Sequence, residues 1–195
     1  MLSTNPFAAV QRCALLVVLL TGSATALHAA GPIKVNGPLV SGGDVLSFGL
    51  QFSPDSNSVV YLADQETDGV TELFSVSAIG STSPVKLNST LPSGGDVSTN
   101  VQITPDSSRV IYRADQETNN ETELFSVPLA GGTSVKLSNP LPVNGDIFGI
   151  EISADSSRVV YDGDQDVNNL FEIYSVPSAG GTSIQLNGPL VAGGR

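Results

Sequence analysis

The sequence predicts an all-β protein built from three repeats, and three observations support this prediction. First, residues 51–83 align without a gap to residues 102–134, with 20 identical positions. Second, a third copy follows over residues 151–186. Third, each copy contains short β-branched and aromatic runs separated by Gly, Asn, Asp and Ser, and no copy has the periodicity of a helix. A period of about 50 residues is typical of repeat units that stack on one another.

The middle copy shows how each repeat divides into four predicted strands. A first strand over 96–103 is followed by a turn at Asp106 and a β-branched, aromatic strand over 109–114. Polar and Gly-rich turns then lead to strands over 122–127 and 134–137. Four short antiparallel strands per unit are typical of a propeller blade. The predicted fold is therefore a β-propeller-type array of three four-stranded antiparallel blades, an incomplete ring because closed rings have about four to eight blades.

The repeats and their flanking segments define the predicted domain boundaries. The segment Pro32–Val40 resembles Ser183–Val191 at the end of the third repeat, which makes it the outer strand of a preceding blade. We therefore expect either a piece of a longer propeller or a ring that is completed between chains. The boundaries are a signal peptide at 1–30, an outer strand of a preceding blade with its linker at 31–43, blade 1 at 44–91, blade 2 at 92–141, blade 3 at 142–188 and the start of a truncated further repeat at 189–195.

The N-terminal residues have the pattern of a secretory signal peptide. A short polar region with Arg12 precedes the apolar run Cys13–Leu20, and small residues up to Ala30 offer cleavage points. The apolar run is too short for a membrane-spanning helix, which needs about 20 residues. We therefore predict a periplasmic or secreted protein without a membrane span.

Composition excludes several functional classes. The formal net charge is −11 with only 8 Lys and Arg residues, so nucleic acid and anionic lipid are not expected partners. The single Cys13 and His28 both lie in the predicted signal peptide. The remaining chain can build no disulfide, Cys/His zinc site or Ser-His-Asp triad. We therefore predict that the protein is not an enzyme.

The first repeat resembles the TolB-like β-propeller repeat. The resemblance rests on the sequence Phe52–Ser56, the apolar strand at 59–61, the sequence Glu72–Val76 and a Gly-containing turn. All three copies follow the pattern, but serine replaces the usual glycine of the F-S-P-D-G motif and Ala154 replaces its proline. The resemblance implies a periplasmic or secreted propeller that binds other proteins, and it implies no catalytic residues. The serines concerned are Ser56, Ser107 and Ser156.

Two turn motifs recur in the repeats. The Gly-Gly-Asp turns that end at Asp44 and Asp96, and the related turn at Asp146, suit a positive φ, and we expect their carboxylates to bond the backbone amides that follow. The loops between the second and third strands alternate oxygen-bearing side chains around a tight turn, a scheme by which short loops hold calcium. The same residues also suit an ordinary hairpin turn. The candidate calcium ligands are Asp64, Glu66, Asp68 and Glu72 in the first loop; Asp115, Glu117, Asn119 and Glu123 in the second; and Asp164, Asp166, Asn168 and Glu172 in the third, to which Asp162 adds a carboxylate.

The end repeats are no more polar than the middle one. Val59, Val60, Tyr61 and Phe74 in the first repeat have apolar counterparts in the third. Uncovered apolar surface costs about 25 cal/mol per Å², so both ends are expected to be adhesive. We therefore predict head-to-tail self-association, two chains of three blades giving a ring of six, with Ile33–Asn36 adding to the partner's edge.

These observations lead to three hypotheses about function. The first is an exported, non-catalytic propeller scaffold that binds protein or peptide partners and needs no cofactor. The second is a calcium-binding extracellular structural module. The third is a carboxylate-based propeller hydrolase, which would require a convergent pair of carboxylates in an axial pocket.

Overall fold

The structure is a computed structural model that describes residues 31–190. The predicted signal peptide and residues 191–195 lie outside the described residues. Every regular element within 31–190 is a β-strand, and no helix in this range is long and apolar enough to cross a membrane. The prediction of an all-β protein is therefore confirmed.

Twelve strands form three separate four-stranded antiparallel sheets. Each sheet is one predicted blade, with its strands in sequence order from one edge to the other. The prediction of three four-stranded blades is confirmed, although the fourth strand of each is only two residues long. Blade 1 contains β1 (Gln51–Phe52), β2 (Ser58–Ala63), β3 (Glu72–Ser77) and β4 (Val85–Lys86); blade 2 contains β5 (Val97–Ile103), β6 (Arg109–Ala114), β7 (Glu123–Pro128) and β8 (Val135–Lys136); blade 3 contains β9 (Ile147–Ile152), β10 (Arg158–Gly163), β11 (Glu172–Pro177) and β12 (Ile184–Gln185).

The central hairpin of each blade is held in register by a stacked aromatic pair. In blade 1, Tyr61 lies opposite Phe74 with the ring centroids 5.4 Å apart. Blades 2 and 3 repeat this pair at 5.5 and 5.3 Å, with Tyr174 replacing phenylalanine in blade 3. Such cross-strand aromatic pairs stabilise one register over a shifted one.

Apolar side chains of each blade are buried against the neighbouring blades. We call the side of blade 1 or blade 2 that faces the next blade in the chain its front face, and the opposite side its rear face. The front face of blade 3 is the side that carries the equivalent strand positions, such as Ile173 at the position of Leu124. Leu73 on the front face of blade 1 packs into a cluster with the rear face of blade 2, and Leu124 does the same between blades 2 and 3. The core is therefore divided between interfaces, as the repeat architecture predicted.

The turn between the first two strands of each blade places a serine in the left-handed region. Ser56, Ser107 and Ser156 have φ of 62°, 59° and 63°, which costs a non-glycine residue about 1–2 kcal/mol. The hydroxyl oxygens of Ser107 and Ser156 each accept a hydrogen bond of 3.0 Å from a backbone amide of the preceding blade, at Asp55 and Asp106. The departure from the glycine of the TolB-like motif therefore supplies a contact between blades.

The Gly-Gly-Asp turns also connect neighbouring blades. Asp96 accepts a hydrogen bond of 2.6 Å from the amide of Thr71 in blade 1, and Asp146 accepts one of 2.8 Å from Thr122 in blade 2. The expectation that these carboxylates bond the amides that follow them was wrong. The reason is that the amides of Thr71 and Thr122, which lie just before the third strand of the preceding blade, are within hydrogen-bond distance of these carboxylates.

The segment 33–40 lies on the rear face of blade 1 and forms no strand of its own. Gly37 donates its amide proton to the side chain of Gln65 at 3.1 Å, and Val35 packs on the apolar cluster of Tyr61 and Phe74. Both aromatic side chains are buried. The expectation that Val59, Val60, Tyr61 and Phe74 form an uncovered end was therefore wrong, since Val60 belongs to the interface with blade 2 and the other three lie in the cluster that the segment covers.

Candidate functional site: the blade 3 front face

The first aspartate of each acidic loop holds two turns together. Asp164 accepts hydrogen bonds from the amides of Asp146 at 2.6 Å and Asn169 at 2.7 Å. Asp64 and Asp115 make the same two contacts in blades 1 and 2. Both carboxylate oxygens are therefore used in the hairpin, as the turn interpretation of these loops requires.

Lysines neutralise the glutamates of the first two loops. Lys86 lies 2.8 Å from both Glu66 and Glu72. Lys136 lies 3.0 Å from Glu117 and 2.5 Å from Glu123. Although burial opposes it, hydrogen bonds with these carboxylates raise the pKa of each lysine. Four of the predicted calcium ligands are therefore partners of an ammonium group.

The third loop lacks this lysine. Gln185 stands in its place and donates a hydrogen bond of 2.5 Å to Glu172, which also accepts one of 2.9 Å from the hydroxyl of Tyr174. Burial raises the pKa of Tyr174, and its hydrogen bond to Glu172 raises it further. The buried Glu172 is thus satisfied by two neutral donors, while Asp166 is exposed.

The remaining predicted ligands are distributed over the blades. Asp68 and Asn119 pack against Gly42 and Gly94 of the Gly-Gly-Asp turns, Asn168 lies half-buried in the third loop, and Asp162 lies inside β10 rather than in the loop. Within residues 31–190, no three His, Cys, Asp or Glu side chains are grouped to hold a metal ion. The calcium hypothesis stays a prediction.

A cleft of about 490 Å³ opens at the blade 3 front face. This face carries the apolar residues Ile173, which is 45% exposed, and Leu186, which is 52% exposed. Their counterparts in blade 2, Leu124 and Leu137, are buried. The cleft itself is lined by Asn100, Gln102, Gly149, Ile150, Glu151, Val160, Tyr161, Asp162 and Ile173.

Two positions in the cleft break the symmetry of the repeats. Gln51 and Gln102 each donate a side-chain hydrogen bond of 2.6 Å to a backbone carbonyl of the next blade, and the third copy has Glu151 instead. The second position has Leu62 in blade 1 and Arg113 in blade 2. Blade 3 has Asp162 there.

The two acids lie in different settings. Asp162 accepts a hydrogen bond of 2.8 Å from the amide of Gly149, and a Cβ at Gly149 would lie 2.2 Å from the Asp162 carboxylate. Only glycine at position 149 therefore lets the Asp162 carboxylate come this close to the backbone of β9. Glu151 is exposed at the end of the cleft, so the face combines an apolar floor with two carboxylates.

Sequence reasoning overlooked Glu151 and misplaced Asp162. The acidic loops were predicted to bind calcium because their residues cluster in the sequence, whereas Glu151 and Asp162 come together only through the pairing of β9 with β10. A position-by-position comparison of the three copies could have found both, because each replaces a donor or an apolar residue by a carboxylate.

Comparison with solved structures identifies the class of fold. The AtxE2 isopeptidase is 12% identical, with a TM-score of 0.52 over 78% of this chain and 32% of that chain. A puromycin hydrolase variant is 15% identical, with a TM-score of 0.50 over 72% of this chain and 22% of that chain. A structure described as "putative TolB from Agrobacterium tumefaciens" is 24% identical, with a TM-score of 0.49 over 71% of this chain and 45% of that chain.

These similarities concern the fold. The three blades form an unclosed array of the β-propeller class, so the predicted propeller-type fold is confirmed. The chain spans less than half the length of each of these three structures. No protein-family model and no curated protein matches the sequence.

Proposed function

We propose that the protein is an exported, non-catalytic β-propeller scaffold that binds a protein or peptide through the blade 3 front face. The observation that supports this most directly is the exposure of Ile173 and Leu186 at positions that are buried in the other two blades. Burial of such side chains by a partner is favourable by about 25 cal/mol per Å². The apolar floor therefore provides affinity.

The acids of the cleft define the chemistry of the partner. Glu151 and Asp162 are carboxylates beside an apolar floor, so a segment with alternating basic and apolar side chains complements the face. The net charge of −11 attracts basic segments over long distances. Complementary charge contributes mainly to specificity and association rate, with the apolar contact providing most of the affinity.

The proposal excludes catalysis by a Ser-His-Asp triad or by a cysteine nucleophile on chemical grounds. The single His28 and Cys13 belong to the segment proposed to be a signal peptide, so the exported chain would have neither residue. The isopeptidase and the puromycin hydrolase share the fold with this chain, and fold alone does not transmit activity. The carboxylate hydrolase is the competing hypothesis, and turnover of any substrate that Glu151→Gln abolishes would support it instead.

A peptide titration tests the binding proposal. The probe is a fluorescent octapeptide of alternating lysine and valine. We expect saturable binding that Glu151→Gln or Asp162→Asn weakens about tenfold, since each removes one carboxylate from the cleft. Glu121→Gln removes one charge from the blade 2 loop and serves as the matched control, expected to bind like the unaltered chain. Equal binding by all variants, or none by the unaltered chain, would contradict the proposal.

Calcium binding in the third loop is a second candidate function. It is favoured by one observation, the replacement of the lysine of blades 1 and 2 by Gln185, which leaves Glu172 and Asp166 without an ammonium partner. Calcium ions bind clusters of carboxylate and carbonyl oxygens. We expect any calcium heat in a calorimetric titration to disappear in Gln185→Lys, which restores the ammonium, and to persist in Lys136→Arg. Heat that survives Gln185→Lys would contradict a site in this loop.

A further inference from the structure

Blade 3 presents the unpaired half of an interface that the chain forms twice. At both internal interfaces, an amide before the third strand donates to the Gly-Gly-Asp carboxylate of the next blade, and a serine hydroxyl donates to a carbonyl of the next blade. The hydroxyl bonds are Ser75 to Leu129 at 2.8 Å and Ser126 to Ser178 at 2.6 Å. The equivalent donors on blade 3 are the amide of Phe171 and the hydroxyl of Ser175.

Blade 1 presents the complementary half. The counterparts of the accepting groups are the Asp44 carboxylate, the Ser56 hydroxyl and the Ala78 carbonyl. Leu50, which corresponds to the buried Val101 and Ile150, is 63% exposed on the same side. Among residues 31–190, no hydrogen bond reaches the side chains of Asp44 or Ser56. The rear face of blade 1 therefore has the acceptors that the front face of blade 3 lacks.

The outer part of this rear face is occupied by the chain's own segment 33–40. Gly37 donates to Gln65 as Ser89 donates to Gln116 and as Asn139 donates to Gln165. Ile33 lies beside Gly80 as Val85 lies beside Gly131. Residues 33–40 thus make the contacts of an outer strand from a preceding blade.

The segment has nearly the same sequence as the end of blade 3. Residues 36–39 and 187–190 are both Asn-Gly-Pro-Leu, and Val35 corresponds to Leu186. A second copy that docked blade 3 on blade 1 in the geometry of the internal interfaces would bring 184–190 to the place held by 33–40. The two segments cannot occupy it together.

We infer that the blade 3 front face binds the blade 1 rear face of a second copy, with residues 184–190 of that copy displacing residues 33–40. This inference rests on the proposed binding role of the blade 3 front face and assigns that face a second copy of the chain as an additional partner, besides a basic and apolar peptide. The three blades formed by residues 31–190 in each of two copies make a reciprocal pair with six blades, within the range of about four to eight that closes a ring. In the monomer, segment 33–40 then covers the outer part of the blade 1 rear face and competes there with residues 184–190 of a second copy.

Glu151 weakens this contact. At the internal interfaces the glutamines at its position donate to a carbonyl of the next blade at 2.6 Å, and the corresponding carbonyl on blade 1 is that of Leu50. A carboxylate has no proton to donate, and it faces the partial negative charge of the oxygen. Glu151→Gln restores the donor and should tighten self-association.

The experiment measures the dissociation constant of the pair by sedimentation equilibrium and native mass spectrometry. For the unaltered chain we expect a concentration-dependent species of twice the monomer mass. Ile173→Asp, which places a charge on an exposed apolar position, should weaken it about tenfold or more. Val143→Asp alters a residue that is 76% exposed outside the front face and should have no effect. Glu151→Gln should strengthen the pair.

If the two segments exchange, equivalent substitutions in them should change the dimer fraction in opposite directions. Val35→Asp weakens the competitor and should increase the dimer fraction, whereas Leu186→Asp weakens the incoming segment and should decrease it. Shifts of the same sign would overturn the exchange, and thermal melts confirm that each variant is folded. A monomer at every concentration for both the unaltered chain and Glu151→Gln would overturn the inference. The octapeptide titration would still test the proposed function in that case. The two tests are distinguishable because Glu151→Gln should weaken peptide binding and strengthen self-association.

Discussion

Blades 2 and 3 carry closely related residues on their front faces, but one face is covered and the other is exposed. Leu124 and Ile173 occupy the same strand position, the first buried against blade 3 and the second almost half exposed. On the rear faces, Lys136 and Gln185 also correspond, the first paired with two glutamates of its own blade and the second with one. Leu124 and Ile173 differ in energy because only Leu124 packs against a neighbouring blade among residues 31–190, whereas Lys136 and Gln185 differ because the residues themselves differ.

The largest expected difference concerns the apolar positions. Leu124→Ala removes a fully buried side chain between two blades and should lower the free energy of unfolding by about 2–5 kcal/mol. Ile173→Ala removes an exposed side chain and should cost less than about 1 kcal/mol. Urea denaturation of both variants measures the difference. The measurement is made at a concentration where the chain is monomeric, because the exchanged dimer would cover the blade 3 front face. Equal losses under these conditions would contradict the exposure of Ile173 in the monomer.

The ion pairs of blade 2 give the next largest effect. Lys136→Met leaves the buried Glu123 without its ammonium partner and should cost about 2–3 kcal/mol at neutral pH. Gln185→Met in blade 3 removes a neutral donor and should cost about 1 kcal/mol. Chemical denaturation at pH 7 compares the two. A smaller loss for Lys136→Met than for Gln185→Met would contradict the assigned role of the lysine.

The pH dependence of Lys136→Met has a definite sign. Burial raises the pKa of Glu123 even with Lys136 present, and removal of the lysine should raise it further. The folded-state pKa of Glu123 then lies above its unfolded value of about 4.3. The contribution of this carboxyl group to the free energy of unfolding is therefore fully present below about pH 4.3, and it is lost as the pH rises through the folded-state pKa. The variant should therefore approach the stability of the unaltered chain near pH 4. A deficit that is constant between pH 4 and pH 7 would exclude this explanation.

The smallest expected difference in stability is between glycine substitutions at two of the serines with positive φ. Ser56→Gly relieves backbone strain at a position whose hydroxyl accepts no hydrogen bond among residues 31–190, and it should stabilise the chain by about 1 kcal/mol. Ser156→Gly relieves the same strain but loses the 3.0 Å hydrogen bond from the amide of Asp106, so its net effect should be near zero. Thermal denaturation of the two variants detects the difference. A larger gain for Ser156→Gly would show that the hydrogen bond between blades contributes little.

The fold was predictable because the local signals agree with each other in all three copies. Turn residues, β-branched runs and the repeat period each indicate the same four-stranded unit, and Tyr112 faces Phe125 across the predicted hairpin. The role of segment 33–40 was less predictable, since a sequence that matches an outer strand does not show that the segment covers Tyr61 and Phe74 of blade 1.

The candidate site was predictable only in part. The acidic loops looked like ligands because carboxylates that are close in the sequence look like a cluster, but their oxygens serve backbone amides and lysines. Glu151 and Asp162 are separated in the sequence, and only the sheet brings them to one cleft. Sequence spacing cannot indicate which carboxylates are already used by backbone donors.

Both backbone hydrogen bonds that hold segment 33–40 to blade 1 end on one residue. Gly37 and Val40 donate to the side-chain and main-chain oxygens of Gln65, and the side-chain oxygen also accepts the hydroxyl proton of Tyr61 at 2.9 Å. A pulling force applied at the N-terminus is therefore concentrated on Gln65 instead of being shared along a ladder of strand bonds. We therefore expect this attachment to yield at a lower force than the three sheets, whose strands are joined by several hydrogen bonds each.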